Sequence, residues 1–387
     1  MSNFLFANRT NWSLQSNSLS LSLEKLQAQG VDILDLTESN PTRCGFDYPA
    51  PWLEALSNQA HLIYAPQANG TLQARKAVAD YYAQKSLNVD PKRIVLTSST
   101  SEGYSFLLKL LTNPGDHVLI PKPSYPLFEF LLQLHDVEFD YYPLLYDGAW
   151  HIDQGAFKNL VTPKTRVVIV VNPNNPTGSY MSEQDIAFLN EQCLQNHMAI
   201  ISDEVFFDYK LERQINPFSL IPNTLVVTFV LSGISKILGL PQMKLSWIVT
   251  HGPKLAVEAA MDRLEIIADT YLSVNTPVQN ALPVWLADSA NIQKQILERV
   301  RGNEKILRRG PLNVLTAEGG WYALLKVPSI NSEEQFVLDL LQEDHVLVHP
   351  GYFFDFDVSG YLVLSLLPKP EIFTQALERI CRRIKIL

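Results

Sequence analysis

Long apolar runs, basic clusters and paired cysteines are all missing from this sequence, and each absence removes a class of function. The longest largely apolar run, Leu225–Leu231 with Thr228 inside it, is far short of the roughly 20 residues a helix needs to cross a bilayer. Lysine and arginine nowhere form a run, and the formal net charge is −9. Neither nucleic acid nor a membrane surface is therefore an expected partner. The three cysteines, Cys44, Cys193 and Cys381, lie far apart with no metal-ligand spacing and no even count to pair. A reducing compartment, the cytoplasm, is expected, and no metal site. Met1–Trp12 shows no basic stretch followed by an apolar core, so no secretory leader is expected. The Asn-X-Ser/Thr triplets beginning at Asn8 and Asn11 then read as chance matches. No internal repeat or low-complexity segment is visible.

What is present is an ordinary globular balance, 47% apolar and 18% charged, over 387 residues. That length suits two domains better than one core. The middle of the chain alternates short β-branched runs with longer amphipathic stretches, the signature of α/β crossover units. Strands are expected at Arg93–Thr97, His117–Ile120, Phe139–Tyr142, Arg166–Val171, Met198–Ser202, Leu225–Leu231 and Ser246–Thr250. Continuous runs such as Val-Val-Ile-Val-Val imply strands buried on both faces, as in a mostly parallel sheet. Helices fit between them at Glu102–Leu111, Pro126–Leu134, Glu183–Gln195 and Pro253–Ile267. The last part reads differently. A long helical stretch, Pro277–Arg309, leads into Gly319–Val327, a helix near Glu333–Glu343, strands Val346–His349 and Tyr361–Leu366, and a final helix. That is a smaller α+β unit, against which or against the larger one the first 47 residues are expected to pack.

Turn-rich polar segments follow four of the expected strands, the edge where open α/β sheets bind ligands. In VLSGISKILGLPQMKLSW, Lys236 is flanked by Ser235 and Ile237 and followed by an apolar stretch. A lone lysine is ordinarily a solvated charge, but a desolvated one has a lowered pKa that suits imine chemistry. In VVNPNNPTG, Val170–Gly178, a simple turn explains some of the asparagines and prolines but not two Asn-Pro pairs with Thr-Gly attached. In ISDEVFFDY, Asp203 follows a buried strand, where a plain helix cap is the bland alternative. In LTSSTSEGY, Ser99, Thr100 and Ser101 lead from a strand into a helix. Such a helix start is a ready phosphate site, although capping alone would look similar. Each bland reading competes singly; four together at four strand ends do not.

Taken in combination, NPNNPTG, DEVF and SGISK with a basic residue eight positions on resemble the class I/II aminotransferases. These are the aspartate aminotransferase-like group of fold type I pyridoxal-phosphate enzymes, and the resemblance runs from Asp35 to about Leu366. It implies an α/β fold with a mostly parallel seven-strand sheet in a large domain, 48–280, and a smaller α+β domain built from both chain ends, 1–47 and 281–387. It also implies pyridoxal 5′-phosphate as cofactor and a homodimer with its sites at the subunit interface. By motif, Lys236 would carry the cofactor covalently and move the proton between the substrate's Cα and the cofactor's C4′. Asp203 would pair with the pyridine nitrogen. Asn175 would donate to the phenolic oxygen, and Tyr125 would stack on the ring. Ser99, Thr100, Ser101 and Ser235 would surround the phosphate, with Tyr64 reaching the phosphate of the neighbouring subunit.

Three positions depart from the family's pattern. Lys244 stands where an arginine usually meets the phosphate, which keeps charge but loses bidentate geometry. Phe206 stands where a tyrosine usually donates to the phenolic oxygen. Val363, in YLVLSLL, stands where an arginine usually grips the substrate carboxylate. Either another cation serves, or the substrate is not an ordinary α-amino acid. Arg43 and Asn40, in ESNPTRCGF, and His349 are the candidate substrate-side residues; for Arg43 a surface role and for His349 a structural one are the alternatives. The expected reaction is amino-group transfer between an amino acid or amine and a keto acid or other carbonyl compound. The same fold also serves lyases and decarboxylases, and a catalytically silent binding protein is a further alternative, against which the intact Lys236, Asp203 and Asn175 argue.

Overall fold

The computed structural model describes residues 5–212, 215–328 and 332–386; part of the segment read for a leader, residues 1–4, lies outside them. Eight strands form the large sheet: β1 (Ile94–Thr97), β2 (His117–Lys122), β3 (Glu138–Tyr146), β4 (Trp150–Ile152), β5 (Thr165–Val171), β6 (Ala199–Asp203), β7 (Thr228–Gly233) and β8 (Ser246–His251). Their order across the sheet is β1-β8-β7-β6-β5-β2-β3-β4. β3, β2, β5, β6 and β7 run parallel, while β8 is antiparallel to both β7 and β1.

The apolar runs are continuous because alternate residues face two separate cores. Ile94, Leu96, Val168, Val170, Ile200 and Val230 face one of them. Val95, Val167, Ile169, Val171, Ile201 and Leu231 face the other, against helices Thr100–Leu111 and Lys254–Tyr271. Each fully buried Val, Leu or Ile contributes about 1.5–3 kcal/mol of burial, which fixes the strands in register. All seven expected strands are present. The one expected at Leu225–Leu231 instead starts at Thr228, because an Asn223 side chain accepting from the Leu225 amide at 3.2 Å holds a turn there. The eighth, β4, is an antiparallel return of β3 through Asp147–Gly148 and was not anticipated.

A second sheet joins β9 (Asn313–Val314), β10 (Tyr322–Lys326), β11 (His349–Pro350) and β12 (Tyr361–Ser365) in the order β9-β10-β12-β11. The N-terminal segment reaches this part of the chain: Leu34–Asp35 pairs parallel with Val346–Leu347. The helical stretch expected over Pro277–Arg309 is two helices, Thr276–Ala287 and Ser289–Arg309. Asp288 leaves the helical conformation between them and accepts from the Trp52 indole at 3.2 Å. Among the described residues no helix is long and apolar enough to cross a membrane.

Candidate active site

The parallel strands β5, β6 and β7 end side by side at Val171, Asp203 and Gly233. Helix Thr100–Leu111 begins beside them, its amides opened to the same edge by the turn at Ser99. Between these ends lies a cavity of about 200 Å³. Lys236, Asp203, Asn175, Tyr125, Phe206, Thr100, Ser101 and Ser235 all line it, as do Ser39 and Tyr322 from the other part of the chain.

Lys236 sits in the one-turn helix Ile234–Ile237 that continues β7. Its carbonyl accepts from the Tyr209 hydroxyl at 2.5 Å, which pins the turn. The ammonium lies 4.9 Å from the centre of the Trp321 ring and 5.2 Å from that of Phe206. Burial lowers its pKa to about 8, partly opposed by Asp203. A lysine in this state is a nucleophile near neutral pH.

Asp203 accepts from the Val205 amide and the Tyr104 hydroxyl, each at 3.1 Å. Burial still raises its pKa to about 6, because these bonds and Lys236 offset only part of the lost hydration. Its neighbour Glu204 points to the opposite side, where Ser219, Ser202 and the Leu220 amide hold it; burial raises it to about 7.

Asn175 brings a buried side-chain oxygen that has no partner among the described residues. Its segment is held by Asn174, which accepts from Thr177 and donates to the Pro123 carbonyl at 3.2 Å. The bonds Asn172–Pro173 and Asn175–Pro176 are cis. Gly178, at φ +71°, leaves room for the Gly319 carbonyl, which a Cβ would meet at 2.5 Å. Gly233 performs a similar service inside the cavity, where an added Cβ would stand 2.2 Å from the Ser246 hydroxyl.

Other expected residues lie outside the cavity lining. Ser99 caps the helix, accepting from the Glu102 amide at 3.1 Å. Lys244, at φ +52°, is exposed two residues before Ser246. Tyr64 is 79% exposed on the outer surface. Asn40 caps the turn Pro41–Arg43 through the Thr42 amide and hydroxyl, and the exposed Arg43 side chain makes no hydrogen bond or ion pair among the described residues. His349 is half-buried directly across from Val363 in the second sheet, in contact with the rings of Phe353 and Phe354. Burial lowers its pKa. Residues the sequence reading passed over include Ser39, Gly233, Ser246, Trp321 and Tyr322. The Gly-Gly-Trp-Tyr run at 319–322 was the signal for the last two, since paired glycines before aromatics mark a close backbone approach.

Comparison with known proteins decides the family. The model of aminotransferase class I and II matches residues 32–380. The chain belongs to the class I and II aminotransferases. Glutamate-pyruvate aminotransferase AlaA of Haemophilus influenzae is 28% identical over 375 residues, covering 92% of either chain. Alanine aminotransferase of Mycobacterium tuberculosis is 28% identical over 374 residues, covering 92% of this chain and 86% of that one. Among solved structures, an aminotransferase from Escherichia coli superposes with a TM-score of 0.86 at 24% identity over 98% of both chains. An alanine aminotransferase from Pyrococcus furiosus gives 0.86 at 24% identity over 95% of this chain and 96% of that one.

These aminotransferases depend on pyridoxal phosphate, and the cavity fits that group. It offers a buried nucleophilic lysine, a buried carboxylate, the side-chain amide of Asn175 and hydroxyls at a helix start. Anions favour such a start, where amides and the helix dipole converge.

Proposed function

We propose that this pyridoxal-phosphate-dependent aminotransferase moves an amino group between an amine or amino acid and a carbonyl compound at the cavity holding Lys236. The lowered pKa of Lys236, at a strand end with Asp203 and Asn175 in the same lining, is the observation that carries this reading. When bound, the cofactor supplies an aldehyde for covalent capture of the amino group and a conjugated ring that draws electrons from the substrate carbon.

The chain's own residues then have distinct tasks. Lys236 would hold the cofactor covalently and, when free, would serve as the base for the substrate's Cα proton. Asp203 would face the pyridine nitrogen, where a carboxylate favours the protonated ring. Asn175 would donate to the phenolic oxygen, Tyr125 would cover a ring face, and Phe206 bounds the site without offering a hydroxyl. Thr100, Ser101 and Ser235 receive the phosphate together with Ser99, whose hydroxyl also caps the helix. Lys244, exposed two residues before the lining residue Ser246, would add positive charge. Arg43, Asn40 and His349 stand on the substrate side.

We also propose a homodimer in which Tyr64 serves the phosphate of a second copy; its 79% exposure supports a partner rather than its own cavity. The division into 48–280 and a discontinuous unit of 1–47 and 281–387 is supported by the pairing of Leu34–Asp35 with Val346–Leu347. Cytoplasmic residence, without nucleic-acid or membrane partners, is supported by the free cysteines and the net charge of −9.

The test is a panel of amines added to the loaded protein. Conversion of the cofactor's absorbance to that of its amine form, with a stoichiometric carbonyl product, is expected. Release of carbon dioxide or an eliminated group without that conversion would refute transfer in favour of a lyase or decarboxylase.

A further inference from the structure

The cavity's non-reacting wall carries a charge pattern that selects among donors. Resting on the aminotransferase reading above, we propose that the amino donor carries no free carboxylate beside its reacting carbon.

Among the described residues of one chain, Lys236 is the only cation lining the cavity, and Asp203 lines it as well. The remaining lining is hydroxyl, amide, aromatic and aliphatic. Tyr322 opens β10, and along the same face its strand continues with Leu324, paired directly with Val363 of β12. Val363 is fully buried in a cluster with Leu315, Leu324, Phe354 and Tyr361, against which Trp150 and Phe356 pack. The wall beyond Tyr322 is therefore apolar and closed.

Charge on the Ser39 side is negative. Glu38 is fixed by accepting from the Asn40 amide at 2.8 Å, and its field raises the pKa of Tyr322 in addition to the larger effect of burial. Asp35 lies close enough to act on both Cys44 and His349.

The neighbouring cations are directed elsewhere. Arg299 donates to the carbonyls of Cys44 and Leu367 at 3.1 Å and lies 5.1 Å from the Phe46 ring centre. Lys326 sits over Tyr361, and its backbone is four residues along the strand from Tyr322, about 13 Å. Arg43 and Lys244 are exposed. His349, the cross-strand neighbour of Val363, is held toward its neutral form by burial. A carboxylate on this wall would lose hydration without gaining a cation from the described residues of its own chain, whereas an amide, alcohol or carbonyl loses far less.

Binding can be read apart from turnover with 2-aminoisobutyrate and its carboxamide, since neither has the Cα hydrogen that transfer removes. Spectral titration of the loaded enzyme gives each dissociation constant, corrected to the free-amine form because the two amines differ in basicity. The amide is expected to bind at least tenfold tighter. Val363→Arg is expected to reverse the preference. Should that protein fail to fold, Glu38→Gln is expected to tighten carboxylate binding severalfold and leave the amide unchanged. Carboxylate binding equal to or tighter than that of the amide overturns the inference, and so does absence of saturable amide binding. An Arg43→Ala variant that selectively loses tight carboxylate binding would identify the cation responsible for such a result. Product formation from alanine and alaninamide, measured separately, tests the transferase reading, so the two failures are distinct.

Discussion

Lys236 should react as an amine at a pH where other lysines are inert. Burial takes its pKa from 10.5 to about 8. At pH 7.5 about a quarter of it is then free amine, against roughly one part in a thousand for a solvated lysine. The advantage is on the order of two hundredfold before any contribution from cofactor binding. The linkage follows the same sign: the folded state disfavours the charged lysine, so this group's penalty on stability shrinks as pH rises from about 8 toward 10.5. The assay exposes protein freed of cofactor to pyridoxal 5′-phosphate across a pH series, traps adducts with borohydride and maps them by mass spectrometry. The adduct should fall on Lys236 with a midpoint near pH 8. Asp203→Asn should move that midpoint lower, because Asp203 is the group that raises the lysine's pKa. A midpoint near 10, or an adduct on a different lysine, would refute the reasoning.

Phe206→Tyr in the loaded enzyme should make the protonated, longer-wavelength band disappear at lower pH, since the new phenol would stabilise the cofactor's anionic oxygen; an unchanged titration removes Phe206 from the cofactor's surroundings. Sedimentation should show a dimer, with activity lost on dilution to monomer; a fully active monomer would dispose of the Tyr64 assignment. Gly233→Ala should cost about 1–3 kcal/mol of overpacking against Ser246 and weaken cofactor retention, as read by denaturant unfolding and by the cofactor lost on gel filtration. Unchanged retention would show that Ser246 yields without disturbing the cavity.

The central strands of the large sheet were readable because they pair β-branched residues with burial on both faces, as in Thr165–Val171. β4 escaped because Trp150–Ile152 is too short to show a period, although Asp147–Gly148 ahead of it is a hairpin signal. Lys236, Asp203 and Asn175 were legible for a related reason: each lies just past a buried run, where the chain must turn toward the ligand edge. Ser39 and Tyr322 were not, since only the docking of distant segments brings them to the cavity. Arg43, Lys244 and Tyr64 match motifs yet lie outside the cavity lining of their own chain. A motif locates a residue along the chain, but the direction of its side chain depends on the turn it occupies, as with the left-handed Lys244.

The lining of the cavity divides by origin. Every lining group of this chain suited to hold the cofactor comes from the stretch Thr100 to Ser246, whereas Ser39 and Tyr322 arrive from outside it. Val363 and His349 lie in the same sheet as Tyr322. Changes in that outer sheet can therefore alter which amine is admitted while the anchoring chemistry stays intact, and selection can act on diet without touching the engine.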